Sequence, residues 1–330
     1  MIADVVIVGA GIAGIQAALA LQEKAYAVCV IEKAPMVGGR LATQQVGEGR
    51  ADTGLQFFTA RTKSFHTIVD GWAAKGLVEV WGDQWTDGSL KMTAPDGEPR
   101  YFASQGMARL AESLAKDIKD LRLSTSVKAL TFEDGKWTVH LSSGEKIVTD
   151  AIILTMPIPQ ALNLLEESHI ALSAQDESIL HHIYYGQSIV AAIEIKGETS
   201  LPDIGAIQRF DQPVFWVADN QRKGISSKRV ITLQTSHAFS DKNWDQTDAE
   251  LEQYFHEALQ PYLEEGAEIE TVAIVRWKYS MPLLTYFDDS YASSHFPNLL
   301  FAGDAFGGRG RFEGAALSGI AAAGQVKQIL

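Results

Sequence analysis

Residues 5–8 form an unbroken apolar run, VVIV, and three glycines follow within the next six positions. An apolar run closed by glycine is the pattern of a strand buried on both faces, as in a parallel sheet. Residues 13–21 are dominated by alanine and leucine and predict a helix. A second buried run, AVCVIE at 27–32, predicts the next strand and ends on an acid. The pattern recurs at 151–155, closed by Pro157 and Pro159, and at NLLFAGD near the C-terminus. Between 188 and 236 it changes. SIVAAIEI, PVFWVADN and RVITLQTS are short, β-branched and aromatic, with Gly197, Pro202 and Gly224 between them. They predict an antiparallel meander. TDAELEQYFHEALQPYL then predicts an amphipathic helix capped near Thr247, and TVAIVRWKYSM a further strand. FEGAALSGIAAAGQVKQIL predicts a last helix from near Glu313. The expected architecture is α/β. One domain comprises residues 1–60, 101–162 and 285–330, and an antiparallel-sheet domain of residues 61–100 and 163–284 is inserted into it.

The first glycines have a spacing with a chemistry. Gly9, Gly11 and Gly14 read G-x-G-x-x-G between a strand and a helix. In such a unit the first glycine makes the tight turn and the second lets backbone approach a pyrophosphate. The third lets the helix pack against the sheet. The helix start offers free N–H groups to phosphate. Glu32 lies at the end of the second strand, where an acid takes ribose hydroxyls and repels a 2′-phosphate. A dinucleotide is the expected ligand; this unit alone leaves FAD and NAD both open.

Charge and composition narrow the partners. Net charge is −13, from 41 acidic and 28 basic residues, which argues against nucleic acid or an anionic membrane as the main partner. Cys29 is the only cysteine and forms no intrachain disulfide, which fits a reducing compartment. No apolar run reaches the roughly 18 residues of a membrane span. Only MIAD precedes the first strand, so the start reads as fold and not as a leader, and the expected location is the cytoplasm.

Further along stand EKAPMVGGR, RADTGLQFFTAR, a helix introduced by Gly106 and Met107, and FAGDAFGG. As a set these segments resemble the FAD-dependent amine oxidase superfamily. QFFTAR, VRWKYSMPL and EGAALSGIAAA resemble its renalase branch. The resemblance implies a Rossmann-type FAD-binding domain of the p-hydroxybenzoate hydroxylase-like kind. It implies that Gly9, Gly11 and Gly14, with Ala13, hold the pyrophosphate. Glu32, with Lys33 beside it, takes the adenosine ribose, and Gly39 and Arg40 sit beside the pyrophosphate. Val127 pairs its backbone with adenine, and Gly303 and Asp304 meet the ribityl chain or pyrophosphate from the far side. Glu313, Gly314, Ala315 and Ala316 open a helix whose amides face the pyrimidine side of the ring, favouring negative charge there. Arg309 and Arg311 read equally as helpers and as surface charges. With no cysteine near the C-terminus, FAD is expected to be non-covalent.

The resemblance also places Gln56 and Phe57 by the flavin ring, with Gln56 nearest its N5 edge; a plain turn residue is the rival reading of Gln56. On the strand 271–281, Arg276 and Lys278 share one face and Trp277 and Tyr279 the other. One face is expected to line the pocket, so Trp277, Lys278 and Tyr279 join Gln56 as catalytic candidates. Core packing and a solvated face are the rival readings. No metal-ligating cluster is visible. The expected reaction is hydride transfer from a reduced substrate, an isomeric dihydronicotinamide dinucleotide if renalase-like, to FAD, with O2 reduced to hydrogen peroxide. An amine oxidase or desaturase is the second reading, and a non-redox FAD scaffold or sensor the third.

Overall fold

The apolar runs form the strands that their patterns predict, in a computed structural model that describes residues 2–83, 97–308 and 311–330. In chain order the elements begin β1 (Ile2–Val8), α1 (Ile12–Gln22), β2 (Val28–Ile31), β3 (Thr43–Val46), β4 (Gly49–Asp52), α2 (Lys63–Ala74), β5 (Glu79–Gly82), β6 (Arg100–Phe102) and α3 (Met107–Ala115). β7 (Asp120–Arg122), β8 (Val127–Glu133), β9 (Lys136–Leu141), β10 (Lys146–Leu154), α4 (Ile158–Glu167), α5 (Ala174–His181), β11 (Tyr185–Lys196), β12 (Ala206–Gln208) and β13 (Val214–Asp219) follow. The last are β14 (Val230–Thr235), α6 (His237–Asn243), α7 (Asp248–Leu259), β15 (Glu268–Pro282), β16 (Tyr291–Ala292), β17 (Leu299–Phe301) and α8 (Phe312–Ile329).

The chain divides into two compact units. The first comprises Met1–Gly39, Ala111–Tyr185 and Met281–Leu330. Its sheet runs β16-β17-β10-β1-β2-β7, with β9 and β8 added antiparallel beyond β10. β1 is parallel to both β10 and β2, and β17 is parallel to β10. Every residue of β2 is buried, which is why that run has no polar alternation. α1 is apolar all round because it is covered on two sides, by the sheet and by α8. A Cβ on Gly319 would stand 2.0 Å from the Ala13 carbonyl oxygen, so that glycine lets α8 cross α1 at backbone contact. Some of the C-terminal glycine content is therefore helix packing, not a surface for a ligand.

The second unit comprises Arg40–Leu110 and Gly186–Ser280. Its main sheet runs β12-β13-β14-β11-β15. Of the three expected meander strands, β13 and β14 are antiparallel neighbours, whereas β11 lies on the far side of β14; β12, which was not expected, pairs with β13. Alternate residues Ile189, Ala191 and Ile193 of β11 pack with Leu251, Phe255 and Leu259, spaced by four along α7. α7 starts as its sequence predicts: the Thr247 hydroxyl accepts from the Glu250 N–H, and the Glu250 carboxylate accepts from the Thr247 N–H. Thr247→Ala is expected to cost about 0.5–2 kcal/mol, read as a lower midpoint in denaturant at unchanged slope.

The unit boundaries differ from those expected. Residues 40–60 and 101–110 fall in the second unit. Val46 and Ala51 of the β3–β4 hairpin pack on Ala192 and Val230, and Asp52 accepts from the Met107 N–H at 2.9 Å. Residues 163–185 and 281–284 fall in the first unit. Leu164, Leu165 and Leu180 join the apolar cluster of Ile152, Leu154 and Phe301. The masses of apolar contact, not the motif positions, set the division.

Candidate active site and cofactor cradle

In the first unit the loop after β1 is built for close approach. Gly9 has φ +110°, and a Cβ on Gly14 would stand 2.0 Å from the Gly9 carbonyl oxygen. A Cβ on Gly11 would meet nothing nearer than the Gly38 carbonyl at 4.0 Å, so its face is open. Gly11 is also the N-cap of α1, with no side-chain cap and no acid in the first turn. Ile12, Ala13 and Gly14 thus have N–H groups without an intrahelical acceptor. This is a cradle for an anion. Gly38 and Gly39 close its edge: Gly11 and Gly38 form a parallel bridge, and the Gly38 N–H donates to the Ala10 carbonyl at 2.8 Å.

Glu32 is buried one residue past β2. Its Oε2 accepts from the Ala10 N–H and its Oε1 from the Ala34 N–H, both at 2.8 Å. It fastens the glycine loop, and each carboxylate oxygen keeps a lone pair for a hydroxyl. Lys33 beside it is exposed. The Thr125 N–H donates to the Glu32 carbonyl at 2.9 Å, and β8 starts two residues later at Val127. Asp304 is buried after β17 and accepts from the Tyr185 hydroxyl at 3.4 Å. Gly303 before it has φ +149°, and its N–H donates to the Ser318 hydroxyl of α8 at 2.9 Å. α8 starts at Phe312 with Arg311 as N-cap and no side-chain cap; Glu313, Gly314, Ala315 and Ala316 are all buried. Arg309 lies outside the described residues.

In the second unit the D-T-G segment is a turn pinned almost atom by atom. The Asp52 N–H donates to Asn220 Oδ1 at 3.2 Å and the Thr53 N–H to the Ala42 carbonyl at 2.9 Å. The Asp52 carbonyl accepts from Thr232 Oγ1 at 3.0 Å and from Gln56 Nε2 at 2.6 Å. The Thr53 carbonyl accepts from Trp277 Nε1 at 2.8 Å, and the Gly54 carbonyl from Gln234 Nε2 at 2.7 Å. The Gln56 carbonyl accepts from Lys223 Nζ at 2.6 Å, and Lys223 also donates to Asp52 Oδ2 at 2.7 Å. Against this, Gln56 Oε1 and Thr53 Oγ1 are buried with no partner among the described residues. Two orphaned polar atoms in an otherwise satisfied turn are open to a hydrogen bond from outside the turn.

Ala273 and Trp277 of β15 face the β3–β4 hairpin and the turn after it, and Tyr279 has their parity. Val272 and Ile274 face the α7 side, and Arg276 pairs there with Asp248. Lys278 shares that parity and is exposed, its ammonium 5.7 Å from the Tyr279 ring centroid. Phe57 packs in an aromatic group, with ring centroids 5.3 Å from Trp216 and 6.5 Å from Trp81. Arg40 Nη1 donates to the Ser280 carbonyl at 3.0 Å.

The model of the flavin containing amine oxidoreductase family matches residues 71–327, and that of the NAD(P)-binding Rossmann-like domain matches residues 7–70. The chain belongs to the flavin-containing amine oxidoreductase family. Renalase from Mus musculus is 23% identical over 320 residues, 92% of each chain. Among solved structures, putrescine oxidase bound to putrescine superposes with a TM-score of 0.72 at 16% identity over 99% of both chains. Cyclohexylamine oxidase from Brevibacterium oxydans does so with a TM-score of 0.72 at 14% identity, again over 99% of both.

This member of the family is an FAD-dependent oxidoreductase. The glycine loop fits that cofactor: an uncapped helix start with an open Gly11 face suits a pyrophosphate, and a buried acid at the end of β2 suits a ribose. Sequence reasoning missed four residues of the pinned turn: Asn220, Lys223, Thr232 and Gln234. Asn220 ends PVFWVADN, expected as a strand, and Lys223 follows in a polar segment beside Gly224. In the structure both are buried. Among the described residues no helix is long and apolar enough to cross a membrane.

Proposed function

We propose that the protein oxidises an isomeric form of reduced NAD(P), a dihydropyridine, and reduces O2 to hydrogen peroxide. The balance is one dihydronicotinamide, one O2 and one proton giving one nicotinamide cation and one H2O2. When bound, FAD supplies the two-electron chemistry that joins the two halves. The observation that carries the reading is the pair of orphaned atoms, Gln56 Oε1 and Thr53 Oγ1. They belong to a neutral amide and a hydroxyl. Hydride loss from a dihydropyridine needs no base, whereas an alkylammonium must first lose a proton. The sequence match to renalase over 92% of both chains supports the same substrate class.

In this reading the amides of residues 12–14 bind the pyrophosphate, with Arg40 and Gly39 beside it. Glu32 and Lys33 take the ribose, Val127 the adenine, and Gly303 and Asp304 the ribityl chain. The α8 start at residues 313–316 favours negative charge on the ring. Gln56 orients the N5 edge, and Phe57, Trp277 and Tyr279 shape the substrate side. Lys278, exposed on the opposite face of β15, serves at most in substrate approach. FAD is held without a covalent bond: the one thiol, Cys29, is buried in β2, and burial, with Asp120 adding to it, pushes its pKa up to about 12. A buried thiol also fits a reducing compartment, and we place the protein in the cytoplasm.

Stopped-flow reduction with a panel of dihydronicotinamide isomers and primary amines tests the proposal. Rapid bleaching of the flavin by one of the isomers, then reoxidation in air with stoichiometric peroxide, is the expected result. Reduction by an amine and by none of the isomers would reverse the assignment toward an amine oxidase. A photoreduced protein that stays reduced in air would point to a scaffold. Heat denaturation is expected to release all of the FAD into the supernatant.

A further inference from the structure

We propose that Lys223 is a positioning residue for the reaction, holding the 52–56 turn, and through it the Gln56 amide, by donating to both the Gln56 carbonyl and the Asp52 carboxylate. The lysine side chain is wholly buried, an expensive place for an ammonium. Its Nζ lies 2.6 Å from Gln56 O and 2.7 Å from Asp52 Oδ2, and 4.7 Å from the Trp81 ring centroid. Asp52 uses its other oxygen on Thr43 Oγ1 at 2.6 Å and on the Met107 N–H at 2.9 Å. One cation therefore ties the carbonyl end of the turn to the carboxylate at its start. Burial lowers the pKa of Lys223, and the charge of Asp52 opposes that. A counter-ion for Asp52 need only touch Asp52. The second contact, to the Gln56 carbonyl, is what a positioning role requires. The Gln56 side chain folds back on the same turn, Nε2 donating to the Asp52 and Gly54 carbonyls, which leaves Oε1 presented.

The role in the reaction rests on Gln56 being the flavin neighbour proposed above, and the experiment separates the two ideas. Holoproteins of wild type, Lys223→Met, Asp52→Asn/Lys223→Met and Gln56→Leu are compared by amide hydrogen exchange and by the midpoint potential of the bound flavin. The double variant removes both charges, and the carboxamide that replaces the Asp52 carboxylate still accepts from the Met107 N–H. It is expected to melt close to wild type yet exchange the amides of residues 53–58 at least about tenfold faster. Its equilibrium constant for flavin reduction is expected to fall about tenfold, a shift of about 30 mV to the negative for a two-electron couple. Lys223→Met is expected to show both changes if it folds, and the double variant decides alone if it does not. Gln56→Leu is expected to shift the potential while speeding exchange less than the double variant does, since the Asp52 and Gly54 carbonyls still accept from Thr232 and Gln234. Wild-type exchange and potential in the double variant would overturn the proposal, reducing Lys223 to a counter-ion. A shifted potential in Gln56→Leu with none in the lysine variants would overturn it while sparing Gln56. No shift in any of the variants would sink the Gln56 assignment and the proposal with it.

Discussion

Asp52→Ala is expected to lower the melting temperature by roughly 10 °C at fixed FAD concentration. The substitution leaves the Lys223 ammonium buried with one carbonyl and two aromatic faces for company. Breaking a buried pair from one side costs about 3–5 kcal/mol, far more than the pair is worth as a whole. The Met107 N–H at the start of α3 and the Thr43 hydroxyl lose their acceptor in the same step. The costs overlap and do not add. Each kcal/mol moves the midpoint about 2–4 °C in domains of this size class. Asp52→Asn is expected to fall less, because its amide oxygen still accepts from Met107 and Thr43, yet to keep much of the loss, because the Lys223 ammonium stays buried without a counter-charge. Circular dichroism melts of the three proteins check this, and an Asp52→Ala midpoint within a degree or two of wild type would mean that the turn has another anchor.

Glu32→Arg is expected to cut FAD occupancy by more than about tenfold, with charge-assisted hydrogen bonds worth about 1.5–3 kcal/mol each. The structure makes the reason sharper than a lost ribose contact. Glu32 accepts from Ala10 and Ala34, so it fastens the loop that presents the phosphate amides. A guanidinium accepts nothing and opposes both N–H groups. Glu32→Gln is expected to lie between, since one amide oxygen replaces two carboxylate oxygens. The ratio of flavin absorbance to protein in freshly purified samples, and fluorescence titration of FAD-depleted protein, give the numbers. Wild-type occupancy in Glu32→Arg would place the adenosine elsewhere.

Both predictions concern residues whose local partners the sequence shows unequally. Glu32 was legible because its chemistry is local in space and in sequence: a parallel strand pair fixes where the end of β2 falls relative to the glycine loop. Lys223 was not. It lies 171 residues from Asp52 along the chain, and nothing in DNQRKG marks its lysine as buried. The same holds for Gln56. Its position after D-T-G suggested a ligand, but Oε1 is orphaned because the donors around the turn, Thr232 and Gln234 of β14, Trp277 of β15 and Lys223, are spent on the turn's carbonyls and on Asp52.

The sequence by itself determined the buried strands, the glycine cradle, the acid at the end of β2, the capped α7 and the last helix. These follow from short-range rules: periodicity sets which faces are buried, and caps and glycine spacing set where elements begin and turn. Only the tertiary structure decided that β11 lies beyond β14 and that the 40–60 segment belongs with the second sheet. It alone showed that Gly319 serves the α1–α8 crossing, and which face of β15 meets the turn. Each of these depends on apolar surface or a buried polar group finding a partner far away along the chain. That pairing is chosen by packing and by hydrogen-bond satisfaction in the folded state, and no local pattern encodes it.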